Sequence, residues 1–266
     1  MSDSRPIGVF DSGLGGLCAV KELRRLLPDE DIIYFGDTGR VPYGTKSPET
    51  IKKYAREDAD FLIEKGVKLA LAACGTVSSV ALDELKEHFP VPLFGVIDAS
   101  VDAAISQTKT GTVAVIGTEA TIKSGIFERK LKERGANAVV SRACPLFVPL
   151  VECGFTARGN ELTRGVAEMY LGEIGNTRAD TLILGCTHFP IISEIIADVL
   201  PNVTLVDPAK EAAAAVAKYI NENGIGGQGS KTTYLVSDDA ESFSASAKIF
   251  LKTDEKINAS VVKTQR

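Results

Sequence analysis

Short runs of Val, Ile and Leu alternate with longer amphipathic stretches from one end of this 266-residue chain to the other, and that alternation admits few folds. An apolar run of four or five residues without polar alternation suits a strand buried on both faces, the pattern of a parallel strand covered by helices. The sequence therefore predicts an α/β protein with mostly parallel sheets. Strands are expected at residues 7–10, 32–35, 69–72, 93–96, 113–116, 138–141, 181–184, 204–206 and 232–236. Helices are expected at 17–27, 47–65, 78–88, 99–106, 122–133, 161–174, 190–200 and 210–223.

Strand ends repeat at an offset of a little over a hundred residues. Val9-Phe10-Asp11-Ser12 matches Val115-Ile116-Gly117-Thr118, Leu71-Ala72-Ala73-Cys74 matches Ile183-Leu184-Gly185-Cys186, and Val96-Ile97-Asp98 matches Leu205-Val206-Asp207. Junctions between strands and helices share a vocabulary, so coincidence competes with duplication until the cysteine at the same strand end in each half is counted. The expectation is two similar three-layer α/β domains with the active site in the cleft between them. Residues 1–98 with 209–266 would form the first domain and residues 99–208 the second, with the C-terminal helix folded back on the first.

The composition, 44% hydrophobic and 24% charged, is that of a globular protein. A chain of this length can bury roughly 70 to 75% of its unfolded surface, so its core needs no disulfide or metal. The net charge of -5, with Lys and Arg dispersed, argues against nucleic acid as a partner. No signal-peptide pattern opens the chain and no run reaches 18 apolar residues, so a cytoplasmic protein without membrane contact is expected. Five cysteines at irregular spacing would then be free thiols in a reducing compartment.

Ligands of parallel α/β sheets collect at the carboxyl ends of strands, where helix N-termini point free N–H groups. Cys74 and Cys186 both fall there. A helix opening behind a thiol would make it more acidic than the reference of about 8.5. For Cys18, Cys144 and Cys153 the plainer reading, a buried cysteine acting as a small hydrophobe, is preferred. Two equivalent thiols facing one cleft suit racemisation, which needs a base on one face of a carbon and an acid on the other, with roles exchanged in reverse. A zinc site is disfavoured because the chain has two histidines and only His188 lies near either cysteine in sequence. A disulfide is disfavoured by the compartment.

The turn Phe10-Asp11-Ser12-Gly13-Leu14-Gly15-Gly16 is an incomplete dinucleotide fingerprint. It reads better as a glycine-rich turn for a small carboxylate, with Asp11 and Ser12 as polar contacts, although Asp11 could serve only as a helix cap. Loops at Phe35-Gly36-Asp37 to Pro42-Tyr43-Gly44 and at Gly117-Thr118-Glu119-Ala120-Thr121 would add hydroxyls. No lysine context suited to a pyridoxal cofactor appears, and no cofactor or metal is expected.

With these segments assembled, the chain resembles glutamate racemase over essentially its whole length. The resemblance rests on Gly8-Val9-Phe10-Asp11-Ser12-Gly13-Leu14-Gly15-Gly16-Leu17, Tyr34-Phe35-Gly36-Asp37, Pro42-Tyr43-Gly44, Ala73-Cys74-x-Thr76, Ala143-Cys144-Pro145-Leu146, Leu150-Val151-Glu152 and Leu184-Gly185-Cys186-Thr187-His188-Phe189-Pro190. It implies a cofactor-independent enzyme interconverting L- and D-glutamate for bacterial peptidoglycan, with Cys74 and Cys186 as acid and base. It places Asp11, Ser12, Tyr43, Gly44, Thr76, Thr121, Thr187 and His188 around the substrate, with Asp11, Glu152 and His188 assisting the thiols. A homodimer is compatible with it. The family usually reads Ala-Cys-Asn-Thr where this chain has Gly75, which implies a lost amide contact, weaker affinity, or another acidic substrate such as aspartate. A weakly active glutamate-binding or regulatory homologue, improved by Gly75→Asn, is the alternative from outside enzymology.

Overall fold

In the computed structural model, which describes residues 2–263, the alternation is realised as two separate parallel sheets. The strands are β1 (Ile7–Asp11), β2 (Ile32–Gly36), β3 (Leu69–Ala72), β4 (Leu93–Gly95), β5 (Thr112–Gly117), β6 (Ala138–Ala143), β7 (Thr181–Leu184), β8 (Thr204–Val206), β9 (Thr232–Val236) and β10 (Ala259–Val261). The helices are α1 (Leu17–Leu26), α2 (Pro48–Glu64), α3 (Gly75–Val80), α4 (Leu82–His88), α5 (Ile97–Gln107), α6 (Glu119–Lys123), α7 (Ile126–Glu133), α8 (Phe147–Glu152), α9 (Glu161–Gly175), α10 (Ser193–Val199), α11 (Pro208–Asn223) and α12 (Ala240–Leu251). None of them is long and apolar enough to cross a membrane among the described residues.

The larger sheet has the order β10-β9-β2-β1-β3-β4 and the smaller β6-β5-β7-β8. The core of the first, β2-β1-β3-β4, is thus topologically the same as the whole of the second. Register agrees with the repeat in sequence: Phe10 lies opposite Ala72, and Ile116 opposite Leu184. Each sheet therefore sends a cysteine-bearing turn from the carboxyl end of its third strand.

Both faces of the strands are covered. Ile7 and Val9 of β1 enter a core shared with α1, α5 and α11, whereas Phe10 enters a second core with Phe35 of β2 and with Phe61 and Leu62 of α2. Successive strand residues point to opposite faces, so one apolar run feeds two cores. Helix α11 packs on α1, and α5 packs against both α11 and strands β7 and β8.

Helix starts follow local chemistry. The Ser47 hydroxyl accepts from the Thr50 N–H at 3.3 Å, with Pro48 in the first turn of α2. The Asp207 carboxylate accepts from the Ala209 and Lys210 N–H groups, so α11 begins two residues before the expected start. Three expected helices are broken. The 78–88 segment becomes α3 and α4, with α3 starting at the strand end, where Ser78 donates its hydroxyl to the Ala72 carbonyl at 2.9 Å. The 122–133 segment divides into α6 and α7 at Gly125, whose φ of 66° is left-handed. The 190–200 segment opens as a 3-10 turn, Phe189–Ile192, before α10.

Candidate active site

The turn after β3 makes Cys74 the residue that caps α3, and the turn after β7 carries Cys186 into the 3-10 turn at Phe189. Both thiols are buried, at 5% and 7% exposure, and both line one cavity of about 350 Å³. Ser12, Tyr43, Gly44, Gly75, Thr76, Glu152, Thr187 and His188 line it with them. Cys74 Sγ lies 3.6 Å from Ser12 Oγ. Cys186 Sγ lies 3.8 Å from His188 Nδ1, and His188 Nε2 lies 2.9 Å from Glu152 Oε1.

The expectation that the helix N-terminus acidifies Cys74 fails. Burial pushes its thiol up to about 12, and the nearby Asp11 carboxylate adds to the effect. The Val77 N–H and the Ser12 hydroxyl oppose it, but a helix terminus contributes only about 0.3–1 kcal/mol in ordinary settings, less than the desolvation of a buried anion costs. On the other side of the cavity, burial disfavours the His188 cation, while hydrogen bonds to Cys186 and Glu152 overcome that cost and raise its pKa to about 10. The raised pKa favours the imidazolium, the form in which both ring nitrogens donate.

Several expected site residues sit differently. Asp11 is 1% exposed and lies beneath the cavity wall, accepting from the Gly13 N–H at 2.9 Å through Oδ2; its Oδ1 has no hydrogen-bond partner among the described residues. Burial raises its pKa, with the charge of His188 pulling the other way. The Tyr43 ring lines the cavity, but its hydroxyl points away, donating to Asp37 and, at 3.0 Å, to Asp58. Those carboxylates are also bound by Arg40, which reaches Asp58 at 2.8 Å and pairs with Glu57 as well. Tyr43 therefore braces the loop instead of offering its hydroxyl to a ligand.

Thr121 does not reach the cavity. It is 1% exposed, and its hydroxyl accepts at 2.9 Å from Thr118 Oγ1, which lines the cavity and lies 3.1 Å from Thr76 Oγ1. The repeat contained the signal for this correction, because Thr118 is the counterpart of Ser12. Glu119, Pro145, Val148 and Pro149 also line the cavity; Glu119 and Pro145 fall in segments the sequence had marked without being named as site residues, and Val148 and Pro149 carry no motif that would single them out. Cys18 and Cys144 are buried as expected, whereas Cys153 is exposed, placed at the solvent-facing end of α8. Among the described residues no group of three or more His, Cys, Asp or Glu side chains could hold a metal ion.

Residues 18–216 match the family model described as Asp/Glu/Hydantoin racemase. The chain is 47% identical over 220 residues to a glutamate racemase of Aquifex aeolicus, covering 83% of this chain and 85% of the relative. It is 42% identical over 260 residues to one of Chlorobaculum parvum, covering 96% and 95%. The crystal structure of glutamate racemase from Francisella tularensis in complex with D-glutamate superposes with a TM-score of 0.91 at 40% identity, covering 98% of each chain. With two like-ordered parallel sheets and a thiol at the same strand end of each, the chain belongs to the Asp/Glu/hydantoin racemase family and is an amino-acid racemase.

Proposed function

We propose that this racemase interconverts L- and D-glutamate by a two-base mechanism with Cys74 and Cys186 on opposite faces of the α-carbon. The observation that carries the reading is the pair of buried thiols, one from each equivalent strand, lining the same cavity. Relatives named glutamate racemase at 42–47% identity over most of the chain support the choice of substrate.

In the proposed cycle one cysteine, as thiolate, removes the α-proton. The electron pair delocalises into the α-carboxylate, and the other cysteine, as thiol, delivers its proton to the opposite face. The charges on the two sulfurs are exchanged at the end, so the reverse reaction starts from the product state. No cofactor is needed in this scheme. Ser12, Thr76, Thr118 and Thr187 offer hydroxyls to the carboxylates and ammonium of the substrate. His188, held by Glu152, donates to Cys186, and Asp11 acts on the Cys74 side from beneath. Thr121 orients Thr118, and Gly44 and Gly75 contribute to the cavity wall.

Residues 1–98 with 209–266, and residues 99–208, are the two domains of this reading, with the substrate between them. Its cellular role would be to provide D-glutamate for peptidoglycan from the cytoplasm.

Solvent-isotope labelling tests the mechanism. In D2O, product formed from either enantiomer should carry deuterium while remaining substrate stays protiated early in the reaction. Equal early labelling of both pools would refute two separate bases. Cys74→Ser and Cys186→Ser should each lower turnover by at least about a hundredfold, since a hydroxyl is the far weaker acid.

A further inference from the structure

Helix α12 buries one face, formed by Phe243, Ala247 and Phe250, at the four- and three-residue spacings that align side chains on a helix. Its two rings brace the active site at two places from behind. Phe243 stacks on Tyr34, with ring centroids 5.9 Å apart and planes at 28°, and the Tyr34 hydroxyl donates to the Gly13 carbonyl at 2.7 Å, next to Ser12. Phe250 meets His188, with centroids 5.2 Å apart and planes at 86°. Neither phenylalanine lines the cavity, so both act through another residue.

Helix α12 follows β9 of the six-stranded sheet, whereas His188 lies in the turn after β7 of the four-stranded one. The Phe250 contact therefore joins one half of the molecule to the histidine of the other. The hydrogen-bonding partners of the ring, Cys186 at Nδ1 and Glu152 at Nε2, come from its own half. Both of those directions lie in the imidazole plane, so together they leave the ring free to tilt about the line joining the partners. A flat ring standing perpendicular to the imidazole closes that motion, and perpendicular packing at this separation is a favoured arrangement of two aromatic rings. The glycine-rich turn closes on the same ring, since a Cβ built on Gly15 would stand 2.7 Å from His188 Nδ1.

We propose that Phe250 is a positioning residue for racemisation: from α12 it fixes the plane of His188, and with it the direction in which His188 donates to Cys186. The proposal rests on the reading of Cys186 as one member of the acid–base pair. What it requires at residue 250 is a flat ring. Leucine or methionine occupies the space with a side chain that turns about its own bonds and leaves the imidazole free to tilt.

The test uses the purified full-length enzyme, Phe250→Leu, Phe250→Met, Glu152→Gln and the double variant Phe250→Leu with Glu152→Gln. Phe94→Leu is the control: Phe94 stands edge-on to Tyr219 at 5.3 Å and 65° and does not line the cavity. The readouts are kcat and KM for glutamate in both directions and the His188 ring resonances by NMR. His88 is the one other histidine and is exposed, so it serves as an internal reference. Misplacing a reacting group by about 1 Å can cost about a hundredfold in rate, and a tilted partner of Cys186 should cost a part of that, about tenfold in kcat for each Phe250 variant. KM should stay within about threefold of the parent, and Phe94→Leu should keep the parent's kcat. Because Phe250 and Glu152 hold one ring, the loss in the double variant should fall short of the product of the single losses by at least about threefold. The His188 resonances should move in both Phe250 variants while those of His88 stay in place. A parental kcat in both Phe250 variants would overturn the proposal, as would an equal loss in Phe94→Leu, losses that multiply, or unmoved His188 resonances. Where Phe250→Leu does not fold, Phe250→Met decides, since an unbranched thioether fills irregular space more readily; failure of both to fold would assign Phe250 a folding role and overturn the proposal. If the parent itself fails to racemise glutamate, the substrate reading falls, while the His188 resonances still decide whether Phe250 holds the ring.

Discussion

Burial alone would leave His188 neutral, yet Cys186 on one ring nitrogen and Glu152 on the other lift its pKa from 6.5 to about 10. A pKa raised by folding means stability that is fully present below about pH 6.5 and is lost as pH rises through about 10. Melting midpoints should therefore fall between those limits, and the fall should be shallower in His188→Gln. Turnover should show an alkaline limb near pH 10, where the imidazolium is lost. In Glu152→Gln that limb should move down by about one unit, because a hydrogen bond to a charged group is worth about 1.5–3 kcal/mol and one unit is about 1.4; an unmoved limb would remove Glu152 from this role. At this scale the sequence reveals the identity of reactive groups better than their state. Cys74 and His188 were legible from strand-end position, but the raised thiol pKa was not, because desolvation depends on what the remaining chain packs around it.

In the loop between β2 and α2 one guanidinium gathers three carboxylates. Arg40 binds Asp37, Glu57 and Asp58, and its guanidinium lies 4.2 Å over the Tyr54 ring centroid. Burial and the neighbouring Asp37 push the Asp58 carboxyl well above its usual range. Arg40→Met would leave these carboxyl groups without their cation and should destabilise by about 3–5 kcal/mol, measurable by urea denaturation. Because this loop carries Tyr43 and Gly44 into the cavity wall, KM should rise before the protein unfolds. Elements differ in how visible they are beforehand. Strands β3, β7, β8 and β9 were expected with their observed bounds, since an apolar run covered on both faces has few alternatives. Helix α12 and strand β10 were not expected: α12 opens Ala-Glu-Ser-Phe-Ser-Ala-Ser with serines that favour turns, and β10 is a short edge strand defined by pairing with β9.

At the scale of the molecule, Lys68 ties distant segments together. Its ammonium donates to Glu30 at 2.6 Å and to the carbonyls of Asp3 and Ile225, while Glu30 also accepts from the Gly227 N–H. Lys68→Met should destabilise by about 3–5 kcal/mol by stranding a buried carboxylate, yet leave kcat near the parent value at 25 °C because none of these residues lines the cavity. The duplicated architecture was legible from three matched strand ends, whereas β10 and the place of β9 beside β2 were not, since the smaller sheet has no counterpart for them. Those strands make the larger sheet discontinuous in sequence: β2 ends at Gly36, and its neighbour β9 begins at Thr232, after the whole of the smaller sheet. On a ribosome adding about 5–20 residues per second, the edge of β2 waits roughly ten to forty seconds for its partner. The smaller sheet, contiguous from Thr112 to Val206, can pair completely in that interval. Biosynthesis thus asks the second half to be finished before the first, and leaves β2 as the edge most in need of protection while the chain emerges.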